Sequence, residues 1–160
     1  MKVSEIMNKT VYTASPTTTV NELLAILEKR NIGGVPVVDF KGSLLGIVTD
    51  GDVLRFLSPR KGKIYVPGYT AFPEDETVEE VLSKKMNTPI IEIMVTKKIK
   101  TLSVHDDLED AIRLISKHHI KKIPIINEEK KVVGIISRGD LIYHLSKKSA
   151  AIARGWGSIS

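Results

Sequence analysis

The sequence has no cysteine, few aromatic residues and no long apolar run, and each shortage removes a class of protein. Without cysteine there is no disulfide, no thiolate chemistry and no cysteine-held metal centre. No stretch reaches the roughly 18 consecutive apolar residues of a membrane-spanning helix. The N-terminal residues Met1-Lys2-Val3-Ser4-Glu5 carry no apolar signal core, so the expected location is the cytoplasm. Catalytic signatures are missing too: the chain has no phosphate-binding Gly-x-x-x-x-Gly-Lys-Ser/Thr loop, no Gly-x-Gly-x-x-Gly, no Gly-x-Ser-x-Gly and no His-Glu-x-x-His. His118 and His119 are adjacent, so on a helix they diverge and cannot grip one metal, while Glu74-Asp75-Glu76 reads as a solvated turn. The expectation is a protein that binds without catalysing, with no catalytic cofactor and no metal.

What is present suits a globular unit. Hydrophobic residues make up 42% of the 160, enough to bury a core, and the formal charge is +5. That charge permits an anionic partner, but lysine is scattered and no nucleic-acid-binding motif is visible, which argues against nucleic acid.

The informative feature is an internal repeat. Shifted by 88 positions, Val11-Tyr12-Thr13 falls on Ile99-Lys100-Thr101, and Ile32-Gly33-Gly34-Val35-Pro36-Val37-Val38-Asp39 falls on Ile120-Lys121-Lys122-Ile123-Pro124-Ile125-Ile126-Asn127. Leu45-Gly46-Ile47-Val48-Thr49-Asp50-Gly51-Asp52 falls on Val133-Gly134-Ile135-Ile136-Ser137-Arg138-Gly139-Asp140. Glu5-Ile6-Met7 matches Glu92-Ile93-Met94 after a slip of one residue.

Each copy predicts the same elements. A short strand (Val11–Thr13; Ile99–Leu102) precedes a capping signal, Thr19-x-x-Glu22 in the first copy and Asp106 or Asp107 in the second. Val20, Leu23, Leu24 and Leu27, like Leu108, Ala111, Ile112 and Ile115, form the apolar stripe of an amphipathic helix. Two β-branched runs joined by a polar turn then predict a hairpin (Val35–Val38 with Leu44–Val48; Ile123–Ile126 with Val132–Ile136), and a last helix opens at Thr49 or Ser137. A copy of about 50 residues lacks a sufficient core alone, so the two should fold as one unit. The expected class is α/β (α+β): two β-α-β-β-α repeats packed sheet to sheet about a pseudo-twofold axis. Residues 1–57 form the first repeat, 58–89 a linker with a short helix after Thr77, 90–146 the second repeat and 147–160 a tail that frays at its end.

The repeated Gly-hydrophobic-x-Thr/Ser-x-x-Asp, at Gly46/Thr49/Asp52 and Gly134/Ser137/Asp140, supports two readings. The hydroxyl and the acid three residues on can cap a helix. The same strand-to-helix turn also presents free N–H groups and a hydroxyl to a phosphate, with an Asp placed to accept from ribose hydroxyls.

Together these motifs resemble the CBS family, named after cystathionine β-synthase: Ile-Met before the first strand, Gly-Val-Pro-Val-Val-Asp or Lys-Ile-Pro-Ile-Ile-Asn, then Gly-Ile-Val-Thr-Asp-Gly-Asp or Gly-Ile-Ile-Ser-Arg-Gly-Asp. The resemblance implies a regulatory, ligand-sensing pair that binds AMP, ADP or ATP, or an S-adenosyl compound, in clefts between repeats. It implies ribose recognition by Asp52 and Asp140, contacts to ribose or phosphate from Thr49 and Ser137, and Thr13 and Thr101 near the base. The backbone at Val35-Pro36 and Ile123-Pro124 would read the adenine edge. Each cleft would mix repeats, Thr13 and Val35 with Ser137 and Asp140, and Thr101 and Ile123 with Thr49 and Asp52.

The copies are unequal. Gly33-Gly34 stands where the second copy has Lys121-Lys122, and Arg138 follows Ser137, so one cleft is expected to be better suited to phosphate. The linker cations Arg60, Lys61 and Lys63 either lie in a solvated loop or close over a phosphate. The family also implies a homodimer through helix faces that include Leu24, Leu27, Leu54, Leu57, Leu114 and Leu145, and a regulated partner protein. The alternatives are an S-adenosylmethionine-type sensor and a ligand-free dimerisation module.

Overall fold

A computed structural model describes residues 1–62, 64–71 and 73–157. Lys63 and the end of the tail, 158–160, lie outside the described residues. The chain begins with a one-turn helix α1 (Val3–Ile6). The first repeat follows as α2 (Val20–Arg30), β1 (Gly34–Val38), β2 (Leu44–Thr49) and α3 (Asp50–Phe56). The linker holds a small hairpin, β3 (Ile64–Val66) with β4 (Tyr69–Ala71), and a helix α4 (Val78–Lys85). After a 3-10 turn at Ile90–Glu92 come β5 (Leu102–Ser103), α5 (Leu108–His118), β6 (Lys122–Ile126), β7 (Val132–Ser137) and α6 (Arg138–Gly157). No helix among the described residues is long and apolar enough to cross a membrane.

The duplication is visible in the backbone. Both amphipathic helices end on a left-handed residue, Asn31 at φ 50° and His119 at φ 53°. Both hairpins, β1–β2 and β6–β7, are antiparallel, with matching irregularities at Val37/Val38 and Ile125/Ile126. The turns share one construction. Asp39 Oδ1 accepts from the N–H groups of Lys41 and Ser43, and Asn127 Oδ1 from those of Glu129 and Lys131. A left-handed residue completes each turn, Gly42 at φ 85° and Lys130 at φ 61°.

The pseudo-twofold axis passes where these turns meet. Ser43 bridges Lys131, its own equivalent, flanked by Leu44 N–H donating to Lys130 O and Val132 N–H to Gly42 O. The bridges between each entry segment and the opposite hairpin are reciprocal. Asn8, on the way into the first repeat, bridges Ile135 at the edge of β7, and Val95, on the way into the second, bridges Ile47 at the edge of β2.

Each core is completed by the segment that enters the other repeat. Val3 and Ile6 are buried with Leu108, Ala111, Ile123, Ile125, Ile136 and Leu141 of the second repeat. Ile90, with Ile93 and Met94 against it, joins Leu23, Val35, Val37, Val48 and Val53 of the first. Each fully buried aliphatic side chain contributes about 1.5–3 kcal/mol, so neither repeat keeps its core without the crossed segment. Leu24, Leu27, Leu57 and Leu114 lean into their own repeat's core, whereas Leu54 and Leu145 are exposed.

Three sequence expectations shift. Val11–Thr13 forms no strand; pairing falls on Ala14, a single parallel bridge to Val37, because Pro16 has no N–H and turns the chain away. The second repeat has Val104 at the equivalent place, and there Leu102–Ser103 pairs in parallel with Ile125–Ile126. The linker's first part contains the β3–β4 hairpin, closed at Pro67-Gly68 with Gly68 at φ 81°. Finally, α6 continues through Ser146 to Gly157.

Candidate functional site

Both Thr/Ser-x-x-Asp motifs form helix caps. Asp52 Oδ2 accepts from Thr49 N–H at 2.8 Å and from its hydroxyl at 2.9 Å. Asp140 Oδ2 accepts from Ser137 N–H and its hydroxyl, both at 2.7 Å, and Asp140 N–H donates back to Ser137 Oγ at 3.2 Å. The cap uses one oxygen of each acid. The other oxygens differ: Asp52 Oδ1 accepts from Arg55 at 2.6 Å, while Asp140 Oδ1 has no hydrogen-bond partner among the described residues.

Each capped turn forms one wall of a cleft whose other wall belongs to the opposite repeat. In cleft I, of about 270 Å³, Ser137 and Asp140 face Thr10, Val11, Tyr12, Ile32, Gly33 and Gly34. In cleft II, of about 300 Å³, Thr49 and Asp52 face Lys98, Ile99, Lys100, Ile120, Lys121 and Lys122. These volumes stand near the lower limit of small-molecule pockets, about 300 Å³. Under the 88-residue shift the two linings are equivalent almost position for position.

The walls are chemically different. Where cleft I has Thr10, Tyr12, Asn31 and Gly33, cleft II has Lys98, Lys100, His119 and Lys121. Lys121 reaches across cleft II from the second repeat to Asp50 of the first, Nζ to Oδ1 3.6 Å. Lys98, Lys100 and Lys122 have no ion-pair partner among the described residues. Beside cleft II, desolvation and then the charges of Lys100, Lys117 and His119 hold the His118 imidazole below its usual value. Cleft I has one cation on its lining, Lys122, which it shares with cleft II.

Gly34 explains part of this difference. A Cβ there would stand 2.8 Å from Val48 O and 3.1 Å from both Cα and Cγ2 of Thr49, its cross-strand partner. At the equivalent place Lys122 faces Ser137, which lacks that methyl group.

A CBS domain profile matches residues 3–59 and again 86–147. The chain belongs to the CBS domain family. Among curated CBS proteins it is 33% identical over 152 residues to CBSX1, a chloroplastic protein of Arabidopsis thaliana, covering 88% of this chain and 62% of that one. The CBS pair also superposes on solved structures. With CBSX2 of Arabidopsis thaliana in complex with AMP the TM-score is 0.71, at 21% identity over 92% of this chain and 98% of the other. With the CBS pair of MJ0100, in complex with 5-methylthioadenosine and S-adenosyl-L-methionine, it is 0.67, at 25% identity over 91% and 99%.

Of the residues singled out from the sequence of this CBS pair, Thr49, Asp52, Lys121, Lys122, Ser137 and Asp140 line the clefts. Val35 and Ile123 have no exposed surface and belong to the cores, within strands buried at consecutive positions. Pro36 and Pro124 are buried as well, and Pro36 O already accepts from Ala14 N–H. Thr13 and Thr101 stand one residue beyond the linings. Arg138 does not face cleft I; its side chain borders an apolar groove between α5 and α6 with Ile112, Ile115, Leu141, Ile142 and Leu145. Of the linker cations, Lys61 is engaged elsewhere, pairing with Asp75 at 2.8 Å, and the backbone N–H of Arg60 donates to Glu76 Oε2 at 3.2 Å.

The sequence reading missed Thr10, Tyr12, Lys98, Lys100 and the wall at Ile32 and Ile120. The signal was available in the repeat itself. Lys98 replaces Thr10 directly before the first-strand segment and Lys100 replaces Tyr12 within it, and Ile32 and Ile120 stand one residue ahead of the Gly33/Lys121 difference.

Proposed function

We propose that this CBS pair is a regulatory module that binds an adenosine nucleotide in its inter-repeat clefts and catalyses no reaction. Cleft II prefers the more highly phosphorylated ligand, ADP or ATP, and cleft I binds AMP or a less charged adenosine compound better than these. The observation that carries this reading is the replacement of neutral residues at three lining positions of cleft I by Lys98, Lys100 and Lys121 in cleft II. Among the described residues Lys98 and Lys100 have no competing ion pair, so they are available for charge-assisted bonds to phosphate.

The rest of each site follows from the fold. Thr49 or Ser137 and the N–H groups at the helix start face a ribose or phosphate, and Asp52 or Asp140 accepts from ribose hydroxyls. The apolar pairs Val11/Ile32 and Ile99/Ile120 flank the adenine ring, with backbone from Ile32 to Gly34 and from Ile120 to Lys122 along its edge. Thr13, Thr101, Val35, Pro36, Ile123 and Pro124 act from behind as scaffold. AMP in the CBSX2 complex supports the ligand class.

Regulation requires ligand affinity to differ between two arrangements of the molecule. Here the walls of each cleft come from different repeats, so a ligand draws them together. The groove between α5 and α6, with Ile142 and Leu145 exposed, supplies the face on which we place a second copy of the chain.

Isothermal titration with AMP, ADP, ATP and S-adenosylmethionine tests the proposal. Heat with the adenosine phosphates, strongest for ADP or ATP, is expected. Silence with all four ligands overturns the ligand-sensing reading and leaves the dimerisation module. A second reading attaches to cleft I alone: among the described residues it has one lining cation and a carboxylate oxygen without a partner, features that accommodate a sulfonium, and the MJ0100 complex supports it. Preference of cleft I for S-adenosylmethionine over AMP would select that reading.

A further inference from the structure

Lys122 is the one residue, among those described, that lines both clefts. It opens β6 opposite Ser137, whose hydroxyl and cap face cleft I, while its chain neighbour Lys121 is directed across cleft II to Asp50. Its ammonium has no ion-pair partner among the described residues. No second lysine duplicates it, because the equivalent position in the first repeat is Gly34, where Val48 O and Thr49 leave no room for a side chain.

Resting on the reading that both clefts bind adenosine nucleotides, we propose that Lys122 is a shared cation that makes the clefts antagonistic toward anionic ligands. An ammonium on a flexible four-carbon stem acts as a point charge that turns toward one anion at a time. The first phosphorylated ligand recruits Lys122, and the second binds without it. Linkage makes the penalty reciprocal whichever cleft fills first. An uncharged adenosine ligand recruits nothing and shows no antagonism. The module thus reads the ratio of two ligands better than either concentration alone.

Calorimetric titration of ADP into the full chain and into two single-cleft variants tests this. Val11→Trp fills cleft I and Ile99→Trp fills cleft II, at equivalent positions; Ile32→Trp and Ile120→Trp serve if circular dichroism shows the first pair misfolded. In the unaltered chain the second ADP is expected to bind at least about five-fold more weakly than the single-cleft constants predict, the lower end of common coupling strengths of about 5–150-fold. With Lys122→Met, or with adenosine in place of ADP, the discrepancy is expected to shrink to less than about two-fold. Independent clefts in the unaltered chain, or antagonism that survives Lys122→Met, overturns the proposal. ADP binding in none of the proteins overturns the nucleotide reading, and the shared-cation proposal with it.

Discussion

Clefts I and II are built from the same residues counted 88 positions apart, yet they present opposite surfaces to a ligand. Cleft I has Tyr12, Thr10 and Gly33 where cleft II has Lys100, Lys98 and Lys121. The capping acids follow the reverse order. Asp52 in cleft II is held by Arg55, whereas Asp140 in cleft I keeps one oxygen without a partner among the described residues, Tyr143 occupying the position equivalent to Arg55. A duplication conserves what folding needs, the cap, the hairpin register and the crossed segments, and leaves the wall opposite each cap free to diverge. On the proposed reading, the difference makes cleft II select by charge and cleft I by the hydrogen bonds of a sugar.

The largest effect expected from that contrast is the loss of cleft II's phosphate affinity. Replacing Lys98 and Lys100 together by Met, in a chain with cleft I filled by Val11→Trp, should weaken ADP by about 100-fold, since hydrogen bonds to charged groups contribute about 1.5–3 kcal/mol each. Adenosine itself should change by less than about three-fold. Titration of both ligands separates the outcomes, and an equal loss for ADP and adenosine would show that the lysines shape the cleft rather than hold phosphate.

A stability experiment probes why the walls diverged. Gly34→Lys should destabilise the protein by about 1–3 kcal/mol through overpacking, because its Cβ meets Val48 O and Thr49. Adding Thr49→Ser, which recreates the Lys122–Ser137 pair, should restore part of the loss in a urea midpoint. No restoration would assign the crowding to the backbone oxygen alone.

This pair marks the limit of what the sequence discloses. The duplication, the hairpins and the caps were legible because each depends on local patterns: β-branched runs, Thr19-x-x-Glu22, Thr49-x-x-Asp52. The placement of Lys122 was not, since it depends on which residue faces it across the sheet. Likewise, the conspicuous Val35-Pro36 and Ile123-Pro124 are conspicuous because they are apolar and fixed, which is why they are buried behind the clefts. Arg138 sits beside a motif in the chain yet on the far side of it in space, because successive residues at a helix start diverge. The crossing of Val3–Ile6 onto the second repeat had no local signal at all.

The acids provide a smaller test. In a chain with cleft II filled, 2′-deoxy-AMP should bind cleft I about 10-fold more weakly than AMP, the value of roughly one hydrogen bond to a charged group. In cleft II the same substitution should cost less, because Arg55 already occupies Asp52 Oδ1. Arg55→Ala should raise the cleft II discrimination toward that of cleft I. Equal discrimination before and after that substitution would remove the acids from the contrast.

The smallest effect concerns the cations that lie near neither cleft. The Lys61 ammonium bonds Asp75 and holds that carboxyl below its ordinary 3.8, with help from Gly62 N–H, while Arg60 N–H lowers Glu76 below 4.5. Asp75 in turn raises Lys61 above 10.5. Both carboxylates therefore support this strap at pH values above their ordinary pKa and stop as the pH falls through the lowered ones, and Lys61 supports it below 10.5 and stops as the pH rises through its raised value. Hydrogen exchange at Gly62 and Arg60, whose N–H groups donate to these carboxylates, should be slow in the middle of that window and lose its protection on acidification. Lys61 and Asp75 are exposed and Glu76 is mostly covered, so the Lys61–Asp75 pair should hardly move global stability. Lys61→Ala should move the loss of protection at Gly62 toward the ordinary carboxylate range while leaving ADP affinity in both clefts within about two-fold. If it weakened ADP as Lys98 and Lys100 do, the preference of cleft II would be a property of the chain's net charge rather than of its wall, and the comparison between the clefts would collapse.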